Sequence, residues 1–121
     1  MPELRKYEGG CHCGRVRYTV TTALTPVISC NCSICSKRGS LLTFVAADQF
    51  EHTKGSESEL TEYTFNKHVI RHLFCPVCGI ISYGKGTPPG AKQEMVAINV
   101  RCLDDVDVGA LEITPFDGRS R

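Results

Sequence analysis

The spacing of its eight cysteines constrains this chain more than any other feature. They form three clusters and a singlet: Cys11 with Cys13, then Cys30, Cys32 and Cys35, then Cys75 with Cys78, and finally Cys102. Phe74-Cys75-Pro76-Val77-Cys78-Gly79 reads as a C-x-x-C turn. Pro76 restricts one backbone angle, and Gly79 is suited to the positive φ that lets a chain fold back around a metal. A C-x-C pair in a strand projects both sulfurs from one face, where a single ion can collect them. Cys30-Asn31-Cys32-Ser33-Ile34-Cys35 combines both spacings in one short turn.

Disulfides are the competing use of so many thiols. The segment Met1 to Gly10 is charged and has no apolar run, which argues against a secretory signal. No later stretch approaches the ~18 apolar residues of a membrane span. The expected location is the cytoplasm, where glutathione and thioredoxin keep thiols reduced. Eight cysteines in 121 residues also fall short of the ~8–10% that marks a disulfide scaffold.

Metal binding is therefore the expectation, and zinc the expected metal. Structural zinc takes four tetrahedral ligands, whereas catalytic zinc keeps one position open. Seven clustered cysteines divide as four plus three. Cys11, Cys13, Cys75 and Cys78 would form a closed structural site that joins distant parts of the chain. Cys30, Cys32 and Cys35 would hold a second ion with its fourth position free. Spacing alone leaves open which clusters share an ion, and whether His12, His68 or His72 completes the trio. Cys102 has no partner cluster and reads as a buried apolar residue.

Fourteen Lys and Arg stand against thirteen Asp and Glu, a formal net charge of +1. Such a balance makes no case for nucleic acid, whose binding domains carry a basic excess. A small-molecule partner is favoured, and oligomeric state is not legible.

One domain is expected over residues 1–121, since no repeat or linker divides the chain. Val16 to Val20 alternates with the period of a half-buried strand. Leu41 to Ala46, Leu60 to Phe65, Val69 to Phe74, Ile80 to Tyr83, Met95 to Val100 and Glu112 to Phe116 are also predicted strands, rich in β-branched or aromatic residues. Single helical turns are expected after Cys35 and around Leu103 to Asp107, and Gly84 to Gln93 as an irregular surface loop. The fold class is mainly antiparallel β.

Several motifs resemble the glutathione-dependent formaldehyde-activating family, which also includes proteins similar to centromere protein V. Gly10-Cys11-His12-Cys13-Gly14-Arg15-Val16-Arg17-Tyr18 is similar to its opening strand motif. Cys30 to Lys37 resembles its triple-cysteine motif, and Phe74 to Gly79 its closing knuckle. Val96 to Leu103 and Phe116-Asp117-Gly118 resemble its C-terminal strands and tail. The resemblance covers about nine-tenths of the chain. Within the trio, Asn31 and Ser33 are closer to the centromere protein V branch.

The resemblance implies an Mss4-like fold, small antiparallel sheets organised around a four-cysteine zinc site. It implies two zinc ions, one structural on Cys11, Cys13, Cys75 and Cys78, and one catalytic on Cys30, Cys32 and Cys35. The implied activity is a carbon–sulfur lyase written in reverse, joining glutathione to formaldehyde as S-(hydroxymethyl)glutathione. Because glutathione carries two carboxylates, Lys37 and Arg38 beside the trio are the candidate binding residues. Arg71 and His72 sit on opposite faces of their strand, so only one can look toward the site. The alternative is a non-catalytic zinc module that binds a protein partner.

Overall fold

The computed structural model describes residues 3–64, 70–87 and 92–117. Ten strands among them form two sheets. The smaller sheet runs in the order β1 (Arg5–Gly10), β2 (Arg17–Thr22), β5 (Phe50–Lys54). The larger has seven strands. Its order is β10 (Ile113–Phe116), β3 (Val27–Cys30), β4 (Leu42–Ala46), β9 (Met95–Asn99), β8 (Tyr83–Gly86), β7 (Arg71–Phe74), β6 (Thr61–Tyr63). Every pairing is antiparallel except β10 with β3, which is parallel. No described helix is long and apolar enough to cross a membrane.

Alternation decides which face of each strand is covered. In β2, Tyr18, Val20 and Thr22 are buried while their neighbours are half-exposed. In the larger sheet Thr43 and Val45, Val96 and Ile98, and Leu73 on β7 are buried together with Tyr83. Apart from the two threonines, these residues meet Val16, Val27 and Leu41 in one apolar cluster between the sheets. Each such aliphatic side chain contributes roughly 1.5–3 kcal/mol by leaving water. Tyr18 spans the interface: its ring packs on Phe50 and Tyr83, and its hydroxyl donates to the carbonyl of Ser82 at 3.0 Å.

Among the described residues nothing covers the opposite face of the larger sheet, and its composition matters more for function. Phe44, Ala97, Gly84 and His72 are successive cross-strand partners on β4, β9, β8 and β7. The two central positions of this row carry little or no side chain. A depression therefore lies between Phe44 on one side and His72 on the other.

The structure corrects several expectations. The strand predicted over Ile80 to Tyr83 is Tyr83–Gly86 instead, so Gly84 to Gly86, expected in a surface loop, lie inside the sheet. Residues 88–91 of that loop fall outside the described residues, as do Phe65, His68 and Val69. The helical turn near Leu103 is replaced by two flanking 3-10 turns, Val100–Cys102 and Val108–Ala110. Asn99 and Asp107 open them by accepting from the backbone N–H of Arg101 and Gly109. The sequence pattern marks none of β1, β3 and β5: Arg5, Lys6 and Glu8 dilute the apolar pattern of β1, Glu51, His52 and Lys54 that of β5, and β3 is only four residues long.

Candidate metal centres

All eight cysteines are free thiols, and two groups of them converge. Within each group every Sγ lies within 4.8 Å of the others. The first group is Cys11, Cys13, Cys75 and Cys78, and the second is Cys30, Cys32 and Cys35.

The first group is built by two turns rather than by a pleated strand. Cys11 and Cys13 follow β1, where the Cys11 N–H donates to the carbonyl of Val16 and that of Gly14 to the carbonyl of Cys11. Space is tight at this corner: a Cβ on Gly10 would stand 2.2 Å from the Val16 carbonyl. The facing knuckle follows β7, and Gly79, at φ +79°, closes it by donating to the Cys75 carbonyl at 2.7 Å. Cys13 Sγ lies 3.6 Å from both Cys11 Sγ and Cys75 Sγ. A disulfide requires about 2.05 Å. Zinc–sulfur bonds of ~2.3 Å in a tetrahedron set an edge of about 3.8 Å, so the spacing suits four thiolates around one ion.

The ionisation of these thiols points the same way. Burial works against it, yet backbone hydrogen bonds from Cys13 and Ile80, and then the Cys75 and Cys13 thiols, hold Cys78 down at about 6. Cys13, despite its backbone hydrogen bond from Arg15, is pushed up to about 11 by burial and by the Cys75, Cys11 and Cys78 thiols. Adjacent sulfurs cannot all carry negative charge unless a cation joins them. The donor set therefore fits a divalent metal.

The second group sits at the end of β3 and the start of the single-turn helix α1 (Cys35–Arg38). Cys30 ends the strand, its Sγ accepts from the Cys32 backbone N–H at 3.5 Å, and Ser36 N–H returns to the Cys32 carbonyl at 2.9 Å. Gly39, at φ +73°, terminates α1 by donating to the Cys35 carbonyl. Strand β10 steadies the turn from outside, its Phe116 carbonyl accepting from Asn31 N–H at 3.2 Å. Burial and then the Cys32 thiol push Cys35 up to about 12. Among the described residues no His, Asp or Glu joins this trio, neither His12 nor His72 included. Three thiols fit an ion with one position left to another molecule.

These sulfurs border a cavity of about 260 Å³ over the open face of the larger sheet. Arg38 and His72 line it; Lys37 is exposed and does not. Arg38 Nη2 donates to Cys35 Sγ at 3.5 Å, and its Nη1 lies 3.3 Å from His72 Nδ1. Burial, then the facing guanidinium, push His72 down to about 4. Arg71 takes the other face, where it pairs with Glu57 at 2.9 Å and Glu94 at 3.0 Å. Cys102 is half-buried, belongs to neither group, and donates weakly to the Ile81 carbonyl at 3.9 Å. Sequence reasoning missed Ser40, Leu42, Phe44, Gly84 and Ala97 as parts of the site. Only the cross-strand register that places Gly84 beside Ala97 reveals them.

Comparison with known proteins agrees with this architecture. The family model described as glutathione-dependent formaldehyde-activating enzyme matches residues 6–116. The crystal structure of a Rhodobacter sphaeroides protein is similar at a TM-score of 0.74 and 28% identity, covering 88% of this chain and 99% of that one. The mainly β architecture and its four-cysteine group are those of the Mss4-like fold.

Proposed function

As this chain belongs to the glutathione-dependent formaldehyde-activating family, we propose that it adds a thiol, glutathione, to formaldehyde or a related small aldehyde. Run in that direction, a carbon–sulfur lyase forms S-(hydroxymethyl)glutathione. The observation that carries the reading is the trio Cys30, Cys32 and Cys35, three mutually close thiols that border a cavity. In this reading the four-cysteine group holds a structural zinc and the trio a catalytic one.

Zinc at the trio would supply stabilisation of a further sulfur as thiolate, where a free thiol with pKa near 8.5 is mostly protonated at neutral pH. The chain's own residues do the rest. Arg38, donating to Cys35 Sγ, disperses negative charge on the trio and holds the Cys35 side chain in place. His72 positions Arg38 and is not an acid or base, since its imidazole stays neutral through the working range. Apolar side chains on the open face exclude water from the reacting atoms. Lys37, exposed on α1 beside the trio, meets a glutathione carboxylate outside the cavity. The thiol proton leaves to solvent and the new hydroxyl takes one up.

The test is exchange NMR on zinc-loaded protein with glutathione and formaldehyde. Exchange between free and hydroxymethylated thiol should rise in proportion to protein concentration. No exchange above the buffer rate, together with no binding of glutathione, would leave a zinc module that docks a protein partner.

A further inference from the structure

The cavity is larger and more apolar than a one-carbon aldehyde requires. Its volume of about 260 Å³ approaches the ~300 Å³ lower end of small-molecule pockets, whereas one water claims only ~30 Å³ of liquid. Its depth comes from the row Phe44, Ala97, Gly84, His72, in which the middle two positions offer almost no side chain. Ile28, Leu42 and Ile70 add aliphatic wall. Phe44 and Ile70 are 44% and 53% exposed, so a strongly apolar rim faces solvent without cover from the described residues.

Glutathione does not match these walls, because its ends carry two carboxylates and an ammonium that would be stripped of water. The polar exceptions are few and specific. Arg38 Nε and Ser40 Oγ are buried without a hydrogen-bond partner, and both residues line the cavity. Ser40 is only 5% exposed. Both atoms lie behind the cavity's surface, so its accessible wall is almost wholly apolar and favours an apolar occupant.

We propose that the cavity takes the carbon chain of a medium-length apolar aldehyde, aliphatic or aromatic, whose carbonyl is directed to the Cys30, Cys32 and Cys35 thiols that border it. This rests on the thiol-addition reading and names its aldehyde partner. The sulfur forms a bond to the carbonyl carbon and the carbon–oxygen π bond opens. The oxygen takes up a proton in place of the one the thiol gave up, and nothing is oxidised or reduced. Polar glutathione stays at the mouth, with only its sulfur directed inward.

The experiment compares formaldehyde, acetaldehyde, butanal, hexanal and benzaldehyde with glutathione and zinc-loaded protein, each rate divided by its uncatalysed rate. Burial of each methylene should raise the acceleration about fourfold until the cavity is full. A readout independent of turnover is the methyl NMR spectrum of Ile28, Leu42 and Ile70 titrated with hexan-1-ol, which should shift and saturate. Ala97→Phe, which fills the floor, should abolish both the chain-length trend and the alcohol shifts. A flat or falling trend with formaldehyde still accelerated, and no saturable shifts, overturns the apolar substrate and leaves the thiol addition standing. No acceleration for any aldehyde, with saturable shifts intact, overturns the addition reading and the aldehyde with it.

Discussion

Nη1 of Arg38 lies 3.3 Å from Nδ1 of His72, and the pair fixes the state of the imidazole. A guanidinium has donors and no acceptor, so Nδ1 must accept and the ring proton resides on Nε2. A protonated ring would present a second donor to the cation. The trio, the guanidinium and the imidazole thus form one chain of contacts from Cys35 to β7.

That arrangement has a pH signature. Unfolded, His72 titrates near 6.5; folded, near 4. Between those values the unfolded chain takes a proton that the folded one refuses, so stability is full above pH 6.5 and falls as pH drops toward 4. The slope contributed by this group is at most ~1.4 kcal/mol per pH unit. Chemical unfolding of wild type and His72→Gln across pH 4 to 7.5 should show a difference that varies only below about 6.5. A pH-independent difference would remove the argument.

The Arg38 contacts predict a defined loss on conservative replacement. Arg38→Lys keeps the charge but cannot reach Cys35 and His72 with two forked donors. Zinc affinity of the second site, measured by competition with a chromogenic chelator, should weaken about 10–100-fold while the first site is unchanged. Equal affinity in the two proteins would mean that the guanidinium does not support the trio.

Cys32→Ser should reduce the zinc content from two ions to one and abolish thiol exchange. The far-UV and near-UV spectra should remain those of the wild type, because the trio lies at the surface end of β3 and outside the apolar cluster. Native mass spectrometry counts the ions directly. Full exchange activity with a single ion would refute the assignment of the trio.

Cys78→Ser should behave differently. Structural zinc contributes ~10–16 kcal/mol of apparent binding energy, comparable with the whole ~5–15 kcal/mol stability of a domain. Circular dichroism should report loss of cooperative melting, reproduced in wild type by a strong chelator. A cooperative transition within a few degrees of the wild-type midpoint would show that the two sheets hold without the metal.

Much of the fold was legible because its signals are local. The spacing in Cys75-Pro76-Val77-Cys78-Gly79 predicted the turn and the positive φ at Gly79 that the structure contains. Val16 to Val20, Leu41 to Ala46 and Met95 to Val100 alternate strongly enough to mark strands within a residue or two. Gly84 and Gly86 misled, because a glycine reads as a turn former until a neighbouring strand approaches it. In β8 that approach is real: a Cβ on Gly84 would stand 3.0 Å from the Arg71 carbonyl. Cys11 and Cys13 were expected on a pleated strand, yet a turn brings their sulfurs together.

Sequence alone determined that seven cysteines would fall into groups spaced as metal ligands are and that the chain would be built mainly of strands, since ligand spacing and two-residue alternation are properties of neighbours along the chain. Only the tertiary structure decided that Arg38 and not Lys37 faces the trio, that His72 faces the cavity while Arg71 faces Glu57 and Glu94, and that Gly84 beside Ala97 opens a floor beneath the thiols. Those outcomes follow from strand register, where a shift of one residue turns every side chain to the other face. Register is set by long-range packing of the sheets, a property of distant segments that no local pattern encodes.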